Sequence, residues 1–225
     1  MTFSRGRDLL AIPGPSIIPD RVLREMHRAA PNIYEGALIE MTETVIADLR
    51  RVAPEAYYQL FCGTAPTHHL YGLRAALDMI DEEGLATVWR RHAVFARAVW
   101  AAVDAWGAEG ALKLNLGDHG LRSHAVTTIR TSPGDGTRLR RWCAEVAGLT
   151  LGIGLSVEGV DPDSVFRIGH MGHLNPPMLL GALATIEAGL VALDIPHGQG
   201  GSAAAAATIA AERAGEDVVT GLEIG

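Results

Sequence analysis

The spacing of the apolar residues changes at Leu112, and that change restricts the folds open to the chain. Before this point, apolar side chains recur every three or four residues, which is typical of one face of a helix. Residues 112–116 then alternate apolar and polar side chains, as a half-buried strand does. Further strands are predicted at residues 57–62, 125–130, 149–153 and 164–168. The sequence therefore predicts an α/β chain whose main part is a small α+β domain, with helices packed on a small, mostly antiparallel sheet.

Helices account for most of the remaining chain. Pro19 suits the first turn of one helix, Thr67 can cap a second, and Ser202 can cap an alanine-rich helix that ends near Ala214. The predicted helices run from about 19 to 26, 38 to 52, 67 to 84, 85 to 106, 136 to 146, 176 to 190 and 202 to 214. The first 52 residues show no pattern typical of a parallel strand, so the N-terminal segment is expected to be helical and loop-like.

Charge, hydropathy and cysteine content exclude several classes of partner. The net charge of −7 argues against nucleic acid, because phosphate binding needs a basic surface. The longest apolar stretch, residues 178–193, contains Glu187 and is short for a bilayer span, so no membrane association is expected. Cys62 and Cys143 define no disulfide framework and are expected to be buried thiols in a reducing cytoplasm.

Two patterns that are similar to ligand motifs are discounted. His68 and His69 are adjacent and cannot easily share one metal, and His170 and His173 lack an acidic or thiolate companion at ligand spacing. Residues 198–202 are glycine-rich, but a dinucleotide-binding loop follows a strand, whereas this segment follows a predicted helix. We therefore expect no metal site, and a linker at residues 198–202.

Two other tracts are more specific. Residues 63–74 read GTAPTHHLYGLR and residues 165–173 read VFRIGHMGH. With the Gly-Pro pair that begins at Gly14 and the helix after residues 31–36, they make the chain resemble the class V aminotransferases, which depend on pyridoxal phosphate (PLP). The resemblance is greatest to the alanine–glyoxylate and serine–glyoxylate aminotransferase group. It covers nearly the whole chain and implies a PLP-transferase type I-like C-terminal domain.

The resemblance implies four segments. Residues 1–53 resemble the start of the family's large domain, and residues 54–84 its interdomain helix and phosphate-loop region. Residues 85–200 resemble the C-terminal small α+β domain, and residues 201–225 form an alanine-rich terminal helix and tail. Family members carry a parallel-sheet domain between the first two segments, where this chain passes directly from Ala53 to Pro54. The chain is therefore expected to be a truncated form of the family.

Four residues match family positions that bind substrate or cofactor. Arg167 matches the arginine that binds the substrate carboxylate, which a guanidinium can do through two hydrogen bonds; a structural arginine at a strand end is the alternative. Backbone near Gly14 is implied to line the substrate pocket. Gly63 and Thr64 match the loop that reaches the cofactor phosphate of the neighbouring subunit, with a plain helix-entry turn as the alternative. The implied ligands are small amino and keto acids, and the implied assembly is a homodimer.

The family's chemistry needs a lysine amine that holds PLP as a Schiff base. This chain has one lysine, Lys113. Alternation places Lys113 and Asn115 on the face opposite Leu112, Leu114 and Leu116, where a hydrated amine stays protonated. No catalytic residue is therefore assigned. Transfer of an amino group from alanine or serine to glyoxylate, the family's reaction, is expected to be beyond this chain alone.

Two further hypotheses stay open. The chain could be a non-catalytic module that binds a carboxylate or pairs with another subunit, because loss of the large domain would uncover apolar surface on residues 20–80. Alternatively, the sequence could join parts of a longer polypeptide, which an intact mass above that of 225 residues would reveal. The sequence does not identify the amino donor.

Overall fold

The computed structural model describes residues 9–14, 17–28, 36–54, 67–155 and 159–214. They belong to two compact units: a helical unit of residues 18–90, and a sheet unit that combines residues 1–17 with residues 91–225. Several predicted features lie outside the described residues, namely the strand at 57–62, most of the loop at 31–36, Cys62, Gly63, Thr64 and the tail after residue 214.

The helical unit contains α1 (Asp20–Met26), α2 (Ala37–Val52) and α3 (Thr67–Glu83), close to the predicted bounds. Gly72 of α3 allows α1 to approach, because a Cβ at this position would lie 2.7 Å from Cγ of Met26. An ion pair of 2.5 Å between Arg74 of α3 and Asp48 joins α3 to α2.

The sheet unit contains β1 (Leu9–Ala11), β2 (Lys113–Leu114), β3 (Val126–Arg130), β4 (Leu149–Ile153) and β5 (Val165–Gly169). Their order across the sheet is β1-β4-β5-β3-β2. Every neighbouring pair is antiparallel except β1 and β4, which run parallel with Leu9 opposite Leu149. The mostly antiparallel sheet confirms the prediction.

The parallel strand β1 corrects the expectation that the N-terminal segment is only helical and loop-like. Its three residues sit in an apolar run that ends at Pro13, which is too short to show strand alternation. Backbone hydrogen bonding to β4, far along the chain, makes it a strand. The pairing could not be read from local sequence, because a three-residue strand depends on its neighbour.

Four helices complete the sheet unit: α4 (Leu85–Gly107, of which the part from Arg91 belongs to this unit), α5 (Asp135–Ala147), α6 (Pro176–Ala192) and α7 (Gly201–Ala214). Alternate residues of the strands are buried against helix side chains in one core. Its members include Ile129, Leu151, Phe166 and Ile168 from the strands, and Val99, Trp106, Leu139, Leu183 and Ile186 from the helices. Among the described helices, none combines the length and apolar character needed to span a membrane.

Two local predictions need correction. The strand predicted at 112–116 is only Lys113–Leu114. Leu112 is 2% exposed and Leu114 packs on the core, but Leu116 lies beyond the strand and is 42% exposed, so it does not share their inward face. The start of α7 also differs, because Ser202 lies inside the helix and Glu187 of α6 binds the first N–H groups instead. The predicted linker is therefore confined to the residues before Gly201.

Candidate carboxylate-binding site

Arg167 lies at the centre of the sheet. On β5 it is opposite Gly152 of β4 on one side and Thr128 of β3 on the other. Its side chain is partly buried, and Nε donates a hydrogen bond of 2.7 Å to the carbonyl oxygen of Ile153. No described carboxylate forms an ion pair with it. The backbone bond fixes the guanidinium plane and leaves the terminal nitrogens for a ligand.

The N-terminal segment passes close to Arg167 because two glycines make room for it. A Cβ at Gly152 would lie 2.8 Å from Cδ of Pro13 and 3.0 Å from Cβ of Arg167. A Cβ at Gly169 would overlap the carbonyl oxygen of Ile12. Gly14 follows directly, and its φ of 154° lies in the region that favours glycine. The structure thus brings the backbone next to Gly14 close to the strand position of Arg167.

A cavity of about 350 Å³ opens beside Arg167. Strands β2, β3 and β5, the two loops beyond β2 and β4, and α4 all contribute to its wall. Its polar lining residues are Asn115, Arg122, Ser123, Thr127, Thr128 and Arg167, and its apolar ones are Trp100, Leu114, Leu116, Leu121, Val126, Leu155, Val160 and Val165. A mostly apolar cavity with a few polar groups is the usual form of a small-molecule site.

Arg122 is a second cation on this cavity, and sequence analysis did not identify it. Its Nε donates to the carbonyl oxygen of Leu116 at 2.9 Å, and one terminal nitrogen donates to that of Gly117 at 3.0 Å. Its Cζ lies 5.2 Å from the ring centroid of Trp100, a cation–π contact. These contacts hold the guanidinium over an aromatic face at the cavity wall.

Trp100 is itself held by a buried polar chain. Its Nε1 donates to Oγ1 of Thr127 at 3.1 Å, and that oxygen lies 2.9 Å from Nε2 of His170. His170 is fully buried, and this burial lowers its pKa from the ordinary 6.5 to about 4. A neutral imidazole therefore supports the tryptophan. The alternation of β3 places Thr127 on the core face, but no sequence signal connects it to Trp100 or His170.

Lys113, the one lysine of the sequence, is a surface residue. It is exposed on the two-residue edge strand β2, opposite Arg130 of β3, as the alternation predicts. A reactive lysine is usually desolvated in an apolar pocket, whereas the Lys113 side chain is exposed to solvent. Since the sequence contains no other lysine, its residues do not fit covalent attachment of PLP. The described residues also include no group of three or more His, Cys, Asp or Glu able to hold a metal.

Of the four predicted site residues, the structure describes Arg167 and Gly14. Arg167 lines the cavity, and Pro13, the neighbour of Gly14, packs beside its strand position. Gly63 and Thr64 lie outside the described residues, so their assignment to the cofactor phosphate stays a prediction.

Comparisons with known proteins agree with this architecture. No family model matches the chain. It is 43% identical over 141 residues to a serine–glyoxylate aminotransferase of Arabidopsis thaliana. The matched region covers 62% of this chain and 33% of that protein. It is 38% identical over 178 residues to an L-aspartate–glyoxylate aminotransferase of Paracoccus denitrificans, covering 79% of this chain and 43% of the relative.

A solved structure is similar over part of this chain. Pyridoxamine–pyruvate aminotransferase from Mesorhizobium loti superposes with a TM-score of 0.60 at 31% identity, over 68% of this chain and 38% of that one. The chain spans less than half the length of these relatives. Over the part that it spans, the homologues of this chain are serine–glyoxylate and alanine–glyoxylate aminotransferases of the class V PLP-dependent group.

Proposed function

We propose that the sheet unit is the substrate-carboxylate-binding part of a glyoxylate aminotransferase. In this proposal Arg167 binds the α-carboxylate of a small amino or keto acid. The observation that supports it is the state of the Arg167 guanidinium: it lines a cavity, its Nε is held by a backbone carbonyl, and no described carboxylate occupies it. The names of the relatives, which act on glyoxylate, support the class of ligand.

The residues around Arg167 hold its side chain in a position suited to carboxylate binding. The bond from Nε to Ile153 orients the guanidinium before a ligand arrives, which lowers the conformational entropy lost on binding. The two terminal nitrogens can then donate in parallel to both oxygens of one carboxylate. Gly152, opposite Arg167 on β4, has no side chain, and this absence leaves room for Pro13 of the N-terminal segment.

The experiment that tests this role replaces Arg167 and measures ligand binding by the intact chain. Arg167→Gln should weaken glyoxylate and L-alanine binding by at least about tenfold in titration calorimetry, because a charge-assisted pair of hydrogen bonds is lost. Arg167→Lys should give an intermediate loss, since it keeps the charge but not the planar fork. Arg141→Gln, an exposed arginine of α5, removes the same charge and should bind like the parent chain. Equal affinities across all four proteins would refute the proposal.

The second part of the proposal is that this chain alone does not transfer amino groups. PLP supplies the electron sink in such reactions, and the exposed Lys113 is a poor group to hold it. Incubation with PLP followed by borohydride reduction should leave the intact mass of the chain unchanged at stoichiometric PLP. A single reduced adduct that disappears in Lys113→Ala, together with glyoxylate-dependent turnover, would show that the chain is a complete enzyme.

We also propose the remaining assignments that the resemblance implied. These are a cytoplasmic homodimer, a phosphate-binding role for Gly63 and Thr64 towards the neighbouring subunit, and the segment bounds 1–53, 54–84, 85–200 and 201–225. Light scattering tests the dimer: a monomeric mass at all concentrations would exclude it. An intact mass above that of 225 residues would show that the sequence lacks part of the polypeptide.

A non-catalytic binding module is the second candidate function. Exposed apolar side chains favour it: Leu116 is 42%, Leu121 69%, Ile153 56% and Leu155 54% exposed, and all but Ile153 line the cavity. Such a group around a binding cavity is typical of a surface that meets another protein or domain. Carboxylate binding without any PLP adduct or turnover would favour this candidate.

A further inference from the structure

The cavity beside Arg167 carries two guanidinium groups and no acid among its lining residues. Arg122 and Arg167 both contribute to its wall, and neither forms an ion pair with any described carboxylate. Two other arginines of the sheet unit are paired with acids: Arg97 with Glu212, and Arg138 with Asp135 at 2.6 Å. In a chain with a net charge of −7, two partly buried cations without acids on one cavity are well suited to anionic ligands.

The known partners of Arg122 leave its positive charge available. Its hydrogen bonds go to the carbonyl oxygens of Leu116 and Gly117 and to the ring nitrogens of His119, the nearer at 3.1 Å. These contacts fix its position, as the contact with the Trp100 ring does, but none of them neutralises it. A bound carboxylate would supply the missing countercharge.

The two guanidinium groups start from well-separated backbone positions. Arg167 is on β5, β3 lies between, and Arg122 is held by the carbonyl of Leu116, just beyond β2. Two strand spacings separate the supporting backbones, roughly 10 Å. The wall includes the apolar side chains of Leu114, Val126 and Val165. A ligand that satisfies both cations therefore carries two separate anionic groups joined by hydrocarbon.

We propose that Arg122 determines substrate class by selecting a dicarboxylate. Arg167 binds one carboxylate and Arg122 binds the other, while the methylene groups lie against the apolar wall. This inference rests on the proposed function, because it assumes that Arg167 binds a carboxylate. It extends that function by assigning Arg122 as a specificity-determining residue and a dicarboxylic amino or keto acid as the substrate.

The test compares succinate with butyrate, which has the same number of carbons and one carboxylate fewer. Titration of the intact chain should show succinate binding at least about tenfold more tightly than butyrate. Arg122→Gln should lower the affinity for succinate to that for butyrate and leave butyrate binding unchanged. Arg141→Gln should preserve the difference, because Arg141 does not line the cavity.

Several results would overturn the inference. These are equal binding of succinate and butyrate by the parent chain, an equal loss of both in Arg122→Gln, or competition by inorganic phosphate as effective as that by succinate. If Arg122→Gln does not fold, binding of 4-aminobutyrate by the parent chain tests the inference instead. This ligand should bind more weakly than butyrate, because its ammonium group would be repelled by the Arg122 guanidinium. Equal or tighter binding of 4-aminobutyrate would overturn the inference. Failure of the proposed function has a different signature, since Arg167→Gln would then leave butyrate binding unaffected.

Discussion

The hydroxyl of Ser202 on α7 donates a hydrogen bond of 2.6 Å to Oε2 of Glu187 on α6. The same carboxylate accepts the backbone N–H groups of Gly200 at 2.8 Å, Gly201 at 3.2 Å and Ser202 at 3.1 Å. A helix leaves its first N–H groups without internal partners, so one acid caps α7 from a neighbouring helix. Desolvation alone would raise the pKa of the Glu187 carboxyl. The hydrogen bonds from Ser202, Gly200 and Gly201 together have a larger effect in the opposite direction, so the net pKa is lowered.

Glu187→Gln should therefore destabilise the chain. The charge-assisted bonds to the start of α7 are weakened, and the free energy of unfolding should fall by about 1–2 kcal/mol in denaturant titrations near neutral pH. Because the native pKa is lowered, this contribution is present above the unfolded value of about 4.3 and is lost as pH falls through the native value. Glu109→Gln is the control, because it removes the same charge from an exposed position. Its free energy of unfolding should stay within about 0.5 kcal/mol of that of the parent chain. A Glu187 variant as stable as this control would contradict the capping role.

His170 should make stability depend on pH in a defined window. Its pKa is lowered to about 4 in the folded chain, whereas the unfolded value is about 6.5. Between these values the unfolded chain binds a proton that the folded chain does not. Stability should decline as pH falls from about 6.5 to about 4, by up to ~3 kcal/mol, with no further loss from this group below that range. Parallel pH profiles of unfolding for the parent chain and His170→Gln would rule this out.

Gly152→Ala should affect both stability and ligand binding. The added methyl group would press on Pro13 and on Cβ of Arg167, which is expected to cost about 1–3 kcal/mol of unfolding free energy and to weaken glyoxylate binding. Gly181→Ala is the matched control, because a Cβ there meets nothing within 4 Å on the exposed side of α6. It should stabilise the chain by about 0.5–1 kcal/mol through helix propensity. Unchanged glyoxylate affinity in a folded Gly152→Ala chain would disprove the link between this glycine and the site.

Cys143 should resist thiol reagents while the chain is folded. It is fully buried in the core, and burial raises its pKa to about 12, so the reactive thiolate is scarce. Mass analysis after brief alkylation at neutral pH should find Cys143 unmodified in the native chain and modified after denaturation. Rapid native labelling at this position would mean that α5 opens readily from the sheet.

Local pattern predicted much of the fold. The apolar stripes predicted the helices nearly to the residue, as in α2, and β3, β4 and β5 lie close to the strands predicted at 125–130, 149–153 and 164–168. The residue that caps α7 could not be predicted from local sequence, because Glu187 contacts the start of α7 only when α6 and α7 pack together. The exposed position of Leu116 likewise depends on where β2 stops pairing with β3, which the regular alternation of residues 112–116 does not reveal.

The candidate site was predictable only in part. The tract that contains Arg167 is contiguous, so its resemblance to a family was visible in the sequence. The cavity wall and its support are assembled from distant segments: Trp100 and Thr127 of the wall meet His170 behind it only in the folded sheet unit. Arg122 sits in an irregular loop without periodicity, and its relation to Arg167 depends on the strand order.

The pairing of Leu9 with Leu149 has a consequence for biosynthesis. During synthesis β1 emerges from the ribosome long before β4, because the whole helical unit lies between the two strands in the chain. During that interval the apolar residues of β1 have no partner strand and are open to chaperones or to wrong pairing. Packing of Pro13 beside Gly152, next to the strand position of Arg167, is therefore expected to be a late event in folding.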